Sequence, residues 1–171
     1  ADAVGRGAAT GGRRGGTVTG EFALREHTAD VAVEAAGDSP GAVFAAVADG
    51  LAAAQCEVVP ATGGERFDVD RAAEDLEGLL YDSLGRLISE RDVRGVLPVD
   101  NEATVIRPDA DAAASSDDAG DGEADAFGVR ASARGVPLDA VDAREVKAVT
   151  FSEMVVEERD GEWYAYVVFD V

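Results

Sequence analysis

The sequence predicts an α+β protein, a single domain of mostly antiparallel sheet with two helices packed against it. Three observations carry this reading. Two stretches space their apolar residues at helical intervals, and most of the remaining patterned segments alternate with a period of two. Their order is two strands, helix, strand, helix, then mostly strands, whereas a doubly wound fold needs more helices. A length of 171 residues suits one domain with room for a core.

Residues 1–19 are too rich in glycine and small residues to bury anything, and are expected to form a disordered Gly/Arg-rich tail ahead of a domain spanning 20–171. The tail's glycines have neither a strand before them nor a helix after them, so they do not read as a phosphate-cradling loop. "EFALREH" and "DVAVEAAG" alternate as two strands that meet at His27, Thr28 and Asp30. In "DSPGAVFAAVADGLAAAQC", Ser39 is placed to cap a helix and Pro40 to start it. Val43, Phe44, Val47 and Leu51 form its apolar face, so the helix is expected to be amphipathic.

"ERFDVDR" reads as a short strand. The next segment, "AAEDLEGLLYDSLGRLISERDVRG", sets Leu76, Leu79, Leu80, Leu84, Leu87 and Ile88 on one helical stripe. "VLPVDNEATVIR" fits one or two short strands. Residues 108–125 carry seven acids and no bases, and are expected to be an acidic flexible insert. "FGVRASARGV" and "EVKAVTFSEMVVEE" are strands, and Asp160-Gly161 makes the hairpin turn into "WYAYVVFDV".

Composition narrows the function. Thirty-five acidic residues against 15 basic ones, of which only Lys147 is a lysine, give a net charge of -20. Such a surface repels a phosphate backbone, so direct strong nucleic-acid binding is not expected, and any role in RNA chemistry runs through a partner. Acids spread over nearly every segment, with few lysines, predict a halophilic, archaeal source. One cysteine, Cys56, excludes an internal disulfide and a cysteine-based zinc cage. With no apolar run of spanning length and no signal core, the protein is expected to be soluble and cytoplasmic, with no membrane partner.

Ser152 or Cys56 paired with His27 is the only arrangement resembling a hydrolytic site, and no nucleophile-elbow motif supports it. The richer chemistry is carboxylate. Asp30 ends the histidine cluster, and Asp170 and the carboxylate of Val171 end the sequence. Converged, the three would call for a hard cation with oxygen ligands. On the residues alone the plainer account is preferred: Asp30 ties down a nearby amide or hydroxyl, His27 is a hydrogen-bonded rim residue, and the terminus is solvated.

A resemblance reverses that preference. "FALREHTADVAVEAAGDSPGAVFAAVADGL", "DLEGLLYDSLGRLI" and "EVKAVTFSEMVVEERDGEWYAYVVFDV" closely resemble, in order, blocks of the archease family, over residues 20–107 and 126–171. The resemblance implies the archease fold and an accessory role rather than an enzymatic one. The implied partner is the RNA ligase of tRNA splicing, which joins halves bearing 2′,3′-cyclic phosphate and 5′-hydroxyl ends; archeases promote its guanylation and its multiple turnover. It also implies a divalent metal, Ca²⁺ with Mg²⁺ or Mn²⁺ as alternatives, held by Asp30, Asp170 and Val171, with His27 and Thr28 in support. One departure stands out: Ser152 occupies a position where the family usually has a histidine. Two rival functions remain: a general chaperone or adaptor without metal chemistry, and a metal-dependent phosphoesterase built on Asp30, Asp170 and His27.

Overall fold

A computed structural model describes residues 20–27, 30–108 and 126–171, with residues 25–27 described by their backbone alone. The expected tail at 1–19, the insert at 108–125 apart from Pro108, and Thr28 therefore lie outside the described residues. β1 (Gly20–His27) and β2 (Asp30–Gly37) lead into α1 (Pro40–Gln55), β3 (Glu65–Ala73) and α2 (Leu76–Arg94). β4 (Val96–Ile106), β5 (Phe127–Pro137), β6 (Ala148–Arg159) and β7 (Glu162–Asp170) complete the order.

The strands form two antiparallel sheets, one ordered β1-β2-β7-β6 and the other β3-β5-β4. Each helix touches both sheets, α1 through β1, β2 and β4, α2 through β3, β5 and β6, so the helices form a middle layer. Alternation along the strands places Val33, Ala35, Val167 and Phe169 in the shared core with Val43, Val47, Leu80 and Leu84 of the helices. Among the described residues, no helix is long and apolar enough to cross a membrane.

Burial corrects the expected amphipathic first helix. All of α1 except Asp49 and Ala53 is buried, because sheet lies on two sides of it. Its small residues permit this: a Cβ on Gly41 would stand 2.5 Å from the Ala103 carbonyl oxygen, and one on Gly50 2.6 Å from Val33 Cγ1. Ser39 caps the helix as expected, its Oγ accepting from the Ala42 amide at 3.1 Å.

α2 begins at Leu76, the first residue of its apolar stripe. The ladder between β3 and β5 continues to the pair Ala73–Phe127, and Asp75 then caps the helix by accepting from the Gly78 amide at 2.6 Å. Gly95, at φ 66°, closes it in the left-handed conformation, with Arg91 and Arg94 in the last turn where the helix dipole favours cations. β4 is one strand broken in register between Val99 and Glu102. The expected hairpin at Asp160-Gly161 is present, with φ of 53° and 81° suiting a two-residue turn.

Candidate metal centre

The first sheet places Asp30 of β2 directly opposite Asp170 of β7, with Ala148 of β6 opposite Asp170 on its other side and His27 of β1 opposite Asp30. Two residues facing each other across antiparallel strands share one face of the sheet, about 4.5–5.5 Å apart at Cα. That face points away from the helices, because Val33, Ala35, Val167 and Phe169, at the alternate positions, pack in the core shared with the helices, while Ala32 and Val168 are buried on the carboxylates' own face. Asp30 is half-buried, Asp170 exposed, and Val171 half-buried just beyond the strand.

The segment between β5 and β6 fixes this end of the sheet. Ala143 bridges to Cys56, and Arg144 grips the end of α1 through its amide to the Gln55 carbonyl (2.6 Å) and its Nε to the Ala54 carbonyl (2.7 Å). Buried Arg91 of α2 donates to Gln55 Oε1 at 2.7 Å and stands 3.9 Å from Glu145. The Lys147 amide then donates to the Asp170 carbonyl at 2.8 Å. The backbone of Asp170 is thus tied to both helices, leaving its carboxylate at the exposed rim.

Like charges placed directly opposite each other on a sheet destabilise it unless something compensates them. Among the described residues, no side chain or amide donates to the Asp30 or Asp170 carboxylate. Nor do three or more His, Cys, Asp or Glu side chains converge into a cage among the described residues. The third donor in the expected set is the backbone carboxylate of Val171, which follows Asp170 directly. An all-oxygen donor set with net negative charge suits a hard cation such as Ca²⁺ or Mg²⁺.

The other sequence candidates are separated. Cys56 is 3% exposed and its Sγ donates to the Val58 carbonyl at 3.1 Å, which suits an inert packed thiol. Ser152 is exposed, in the part of β6 where the register against β7 shifts between Thr150 and Val155. Beside it lies a feature the sequence reading missed: Phe151 meets Tyr81 of α2 edge to face, ring centroids 5.5 Å apart. The available signal was Tyr81 standing off the leucine stripe of its helix.

Residues 22–171 match the archease protein family (MTH1598/TM1083). The protein archease of Pyrococcus abyssi is 31% identical over 150 residues, covering 85% of this chain and 95% of that protein. That of Pyrococcus furiosus is 29% identical over the same shares. Among solved structures, Methanobacterium thermoautotrophicum protein 1598 matches with a TM-score of 0.69 at 25% identity, over 89% of this chain and 98% of that one. A Thermotoga maritima structure described as an archease and possible chaperone matches in fold, with a TM-score of 0.53 at 20% identity, over 85% and 94% of the two chains.

Proposed function

The chain belongs to the archease family, and from that premise we propose that it is an accessory activator of the tRNA-splicing RNA ligase rather than an enzyme. In this reading it promotes guanylation of the ligase and lets each ligase molecule join many pairs of tRNA halves bearing 2′,3′-cyclic phosphate and 5′-hydroxyl ends. The observation that carries it is the cross-strand pair Asp30–Asp170, two carboxylates held face to face with no counter-charge among the described residues.

Asp30, Asp170 and the Val171 carboxylate would hold a divalent ion, Ca²⁺ or alternatively Mg²⁺ or Mn²⁺, with His27 and Thr28 in support. Such an ion supplies positive charge that stabilises phosphate oxygens during nucleotidyl transfer. The chain's own contribution is placement. β2 and β7 set the two carboxylates in register, and the Lys147 amide fixes the backbone of Asp170, so little ordering is left to accomplish when the partner arrives. The acidic surface does not compete for the RNA, which leaves the substrate to the ligase.

Ligation turnover by the cognate ligase with GTP and divalent ions tests this, with no addition, with this protein, and with its Asp170→Asn variant. Conversion from about one product per ligase to many, lost in a variant that remains folded, is the expected result. Full activation by Asp170→Asn would instead favour a chaperone or adaptor without metal chemistry. No effect of the wild-type protein would remove the activator role itself.

A further inference from the structure

β3 is an outer strand of its sheet, and its ladder with β5 runs unbroken from Glu65 to Ala73. Among the described residues, no backbone group bonds to its other edge. An open edge of this kind is a template for another strand, and proteins blunt it with proline, bulges or charge. β4, at the far side of the same sheet, carries Pro98 and the register break, and β6 slips between Thr150 and Val155. β3 has neither proline nor slip, so its charged side chains decide which strand it accepts.

Those charges are ordered. From Glu65 to Arg71 the residues run Glu, Arg, Phe, Asp, Val, Asp, Arg. Phe67 and Val69 are buried in the core, so Arg66, Asp68 and Asp70 lie on the opposite face. A second copy that extends the sheet keeps these faces, so odd-numbered residues meet odd and even meet even. In the antiparallel register centred on Asp68, Glu65 faces Arg71, Arg66 faces Asp70 and Phe67 faces Val69, each twice by two-fold symmetry. The neighbouring registers lose the match. Centred on Phe67, Glu65 faces Val69; centred on Val69, Asp68 faces Asp70 on both sides of the axis.

The side chains that would meet are available. Glu65, Asp68, Asp70 and Arg71 are exposed and, among the described residues, make no side-chain hydrogen bond or ion pair. Arg66 is engaged toward β5 and β4, donating to Ser132 Oγ and to the Asp100 carbonyl, each at 2.8 Å. Glu65 and Arg71 are therefore the pair left for a partner strand. One like contact remains, Asp68 against itself on the axis, with Arg66 of each copy on the diagonal, within reach of a long side chain.

We infer that β3 is the edge by which two copies of this chain associate, pairing antiparallel along residues 65–71 about a two-fold axis at Asp68. Their three-stranded sheets then join into one of six strands. The inference goes beyond the activator reading and does not depend on it. β3 belongs to the sheet that does not hold the carboxylates, so the dimer carries two Asp30–Asp170 pairs, both outside the joined edge.

Sedimentation equilibrium of the full chain tests this at about 1 M salt, where repulsion between chains of net charge -20 is screened within about 3 Å. The wild-type chain is expected to be a dimer. Glu65→Arg alone and Arg71→Glu alone each set like charges opposite one another twice, and each is expected to weaken the dimer about tenfold. Glu65→Arg does so although it reduces the net negative charge of the chain. An equimolar mixture of the two single variants restores opposite charges at both positions, as does the double variant Glu65→Arg/Arg71→Glu, and both are expected to return to wild-type affinity. Asp68→Asn, which removes the like pair on the axis, is expected to tighten the dimer, and Asp70→Asn to loosen it. Thermal unfolding of the diluted, monomeric variants is expected to match wild type, which keeps folding out of the comparison. A wild-type chain that stays monomeric overturns the inference. So does a dimer that neither single variant weakens, or a mixture of the two that fails to re-form it.

Discussion

Two acidic places in this molecule sit where strands meet, and they are treated in opposite ways. At the break in β4, Asp100 holds φ 47° and its carboxylate is gripped by Arg134, with Nη2 2.6 Å and Nε 2.7 Å from Oδ2. Arg134 also donates to the carbonyls of Gly63 and Pro60, at 2.6 and 2.7 Å, and Arg66 donates to the Asp100 carbonyl at 2.8 Å. Next to it, Asp49 of α1 accepts from both the amide and the side-chain Nδ2 of Asn101 at 2.9 Å. At the end of the first sheet, Asp30 and Asp170 face each other without such partners among the described residues. Acids that hold the fold together are answered inside the chain, and acids left unanswered in a row point to something supplied from outside.

Four measurements would break or sharpen that contrast. Arg134→Ala should give the largest loss, because it strands a carboxylate and two carbonyls around a side chain only 12% exposed; about 2–4 kcal/mol in chemical denaturation is expected. A loss below about 0.5 kcal/mol would mean that the β4 break is not held this way.

Calcium should act on the other place. With Ca²⁺ near a hundred times its dissociation constant, wild-type protein should gain about 2.7 kcal/mol in thermal unfolding. Asp30→Asn and Asp170→Asn should gain almost nothing. Equal stabilisation of all three would move the ion elsewhere.

Without divalent ions the sign reverses. Asp170→Asn removes a like-charge cross-strand contact, so in a chelator the variant should be as stable as wild type or up to about 1 kcal/mol more stable. Clear destabilisation would show that the carboxylate has a structural partner after all.

The smallest effect concerns pH, and only its sign is predicted. Burial raises the pKa of Asp49 above the usual 3.8, although the Asn101 hydrogen bonds oppose it. The folded state therefore holds that proton more tightly than the unfolded chain does. Its stabilising contribution is full below the unfolded value and is lost as pH rises through the raised one. Glu90 runs the other way: its hydrogen bond from Arg94, helped by Arg86, lowers its pKa below the usual 4.5. Its contribution is present above that value and is lost as pH falls through the lowered one. Asp49→Asn should flatten the first dependence and Glu90→Gln the second in acid denaturation series, and exchanged effects would refute the assignment.

Much of this was legible along the chain because it is local. Ser39 and Pro40, the leucine stripe of α2, the Asp160-Gly161 turn and the alternation of β5 each act within a few residues, and the structure places them as read. Residues that depend on distant partners were less so. α1 looked one-sided because its alanines carry no sign of the second sheet. Of the candidate centre, Asp30 and Asp170 were readable as carboxylates at strand ends, but their register required β2 and β7 to be neighbours. No local pattern announces the Lys147 amide or the Phe151–Tyr81 contact.

The strand order carries a kinetic consequence. β7, the final strand of this chain, lies between β2 and β6 in the middle of its sheet. The hairpin of β1 and β2 forms from neighbouring residues, but it cannot join the rest of the sheet until the far end of the chain has inserted beside it. Closing so long a loop is entropically unfavourable and slow, so insertion of β7 belongs late in folding. Asp30 and Asp170 meet only at that step, so a divalent ion held between them, as proposed, would report completed folding.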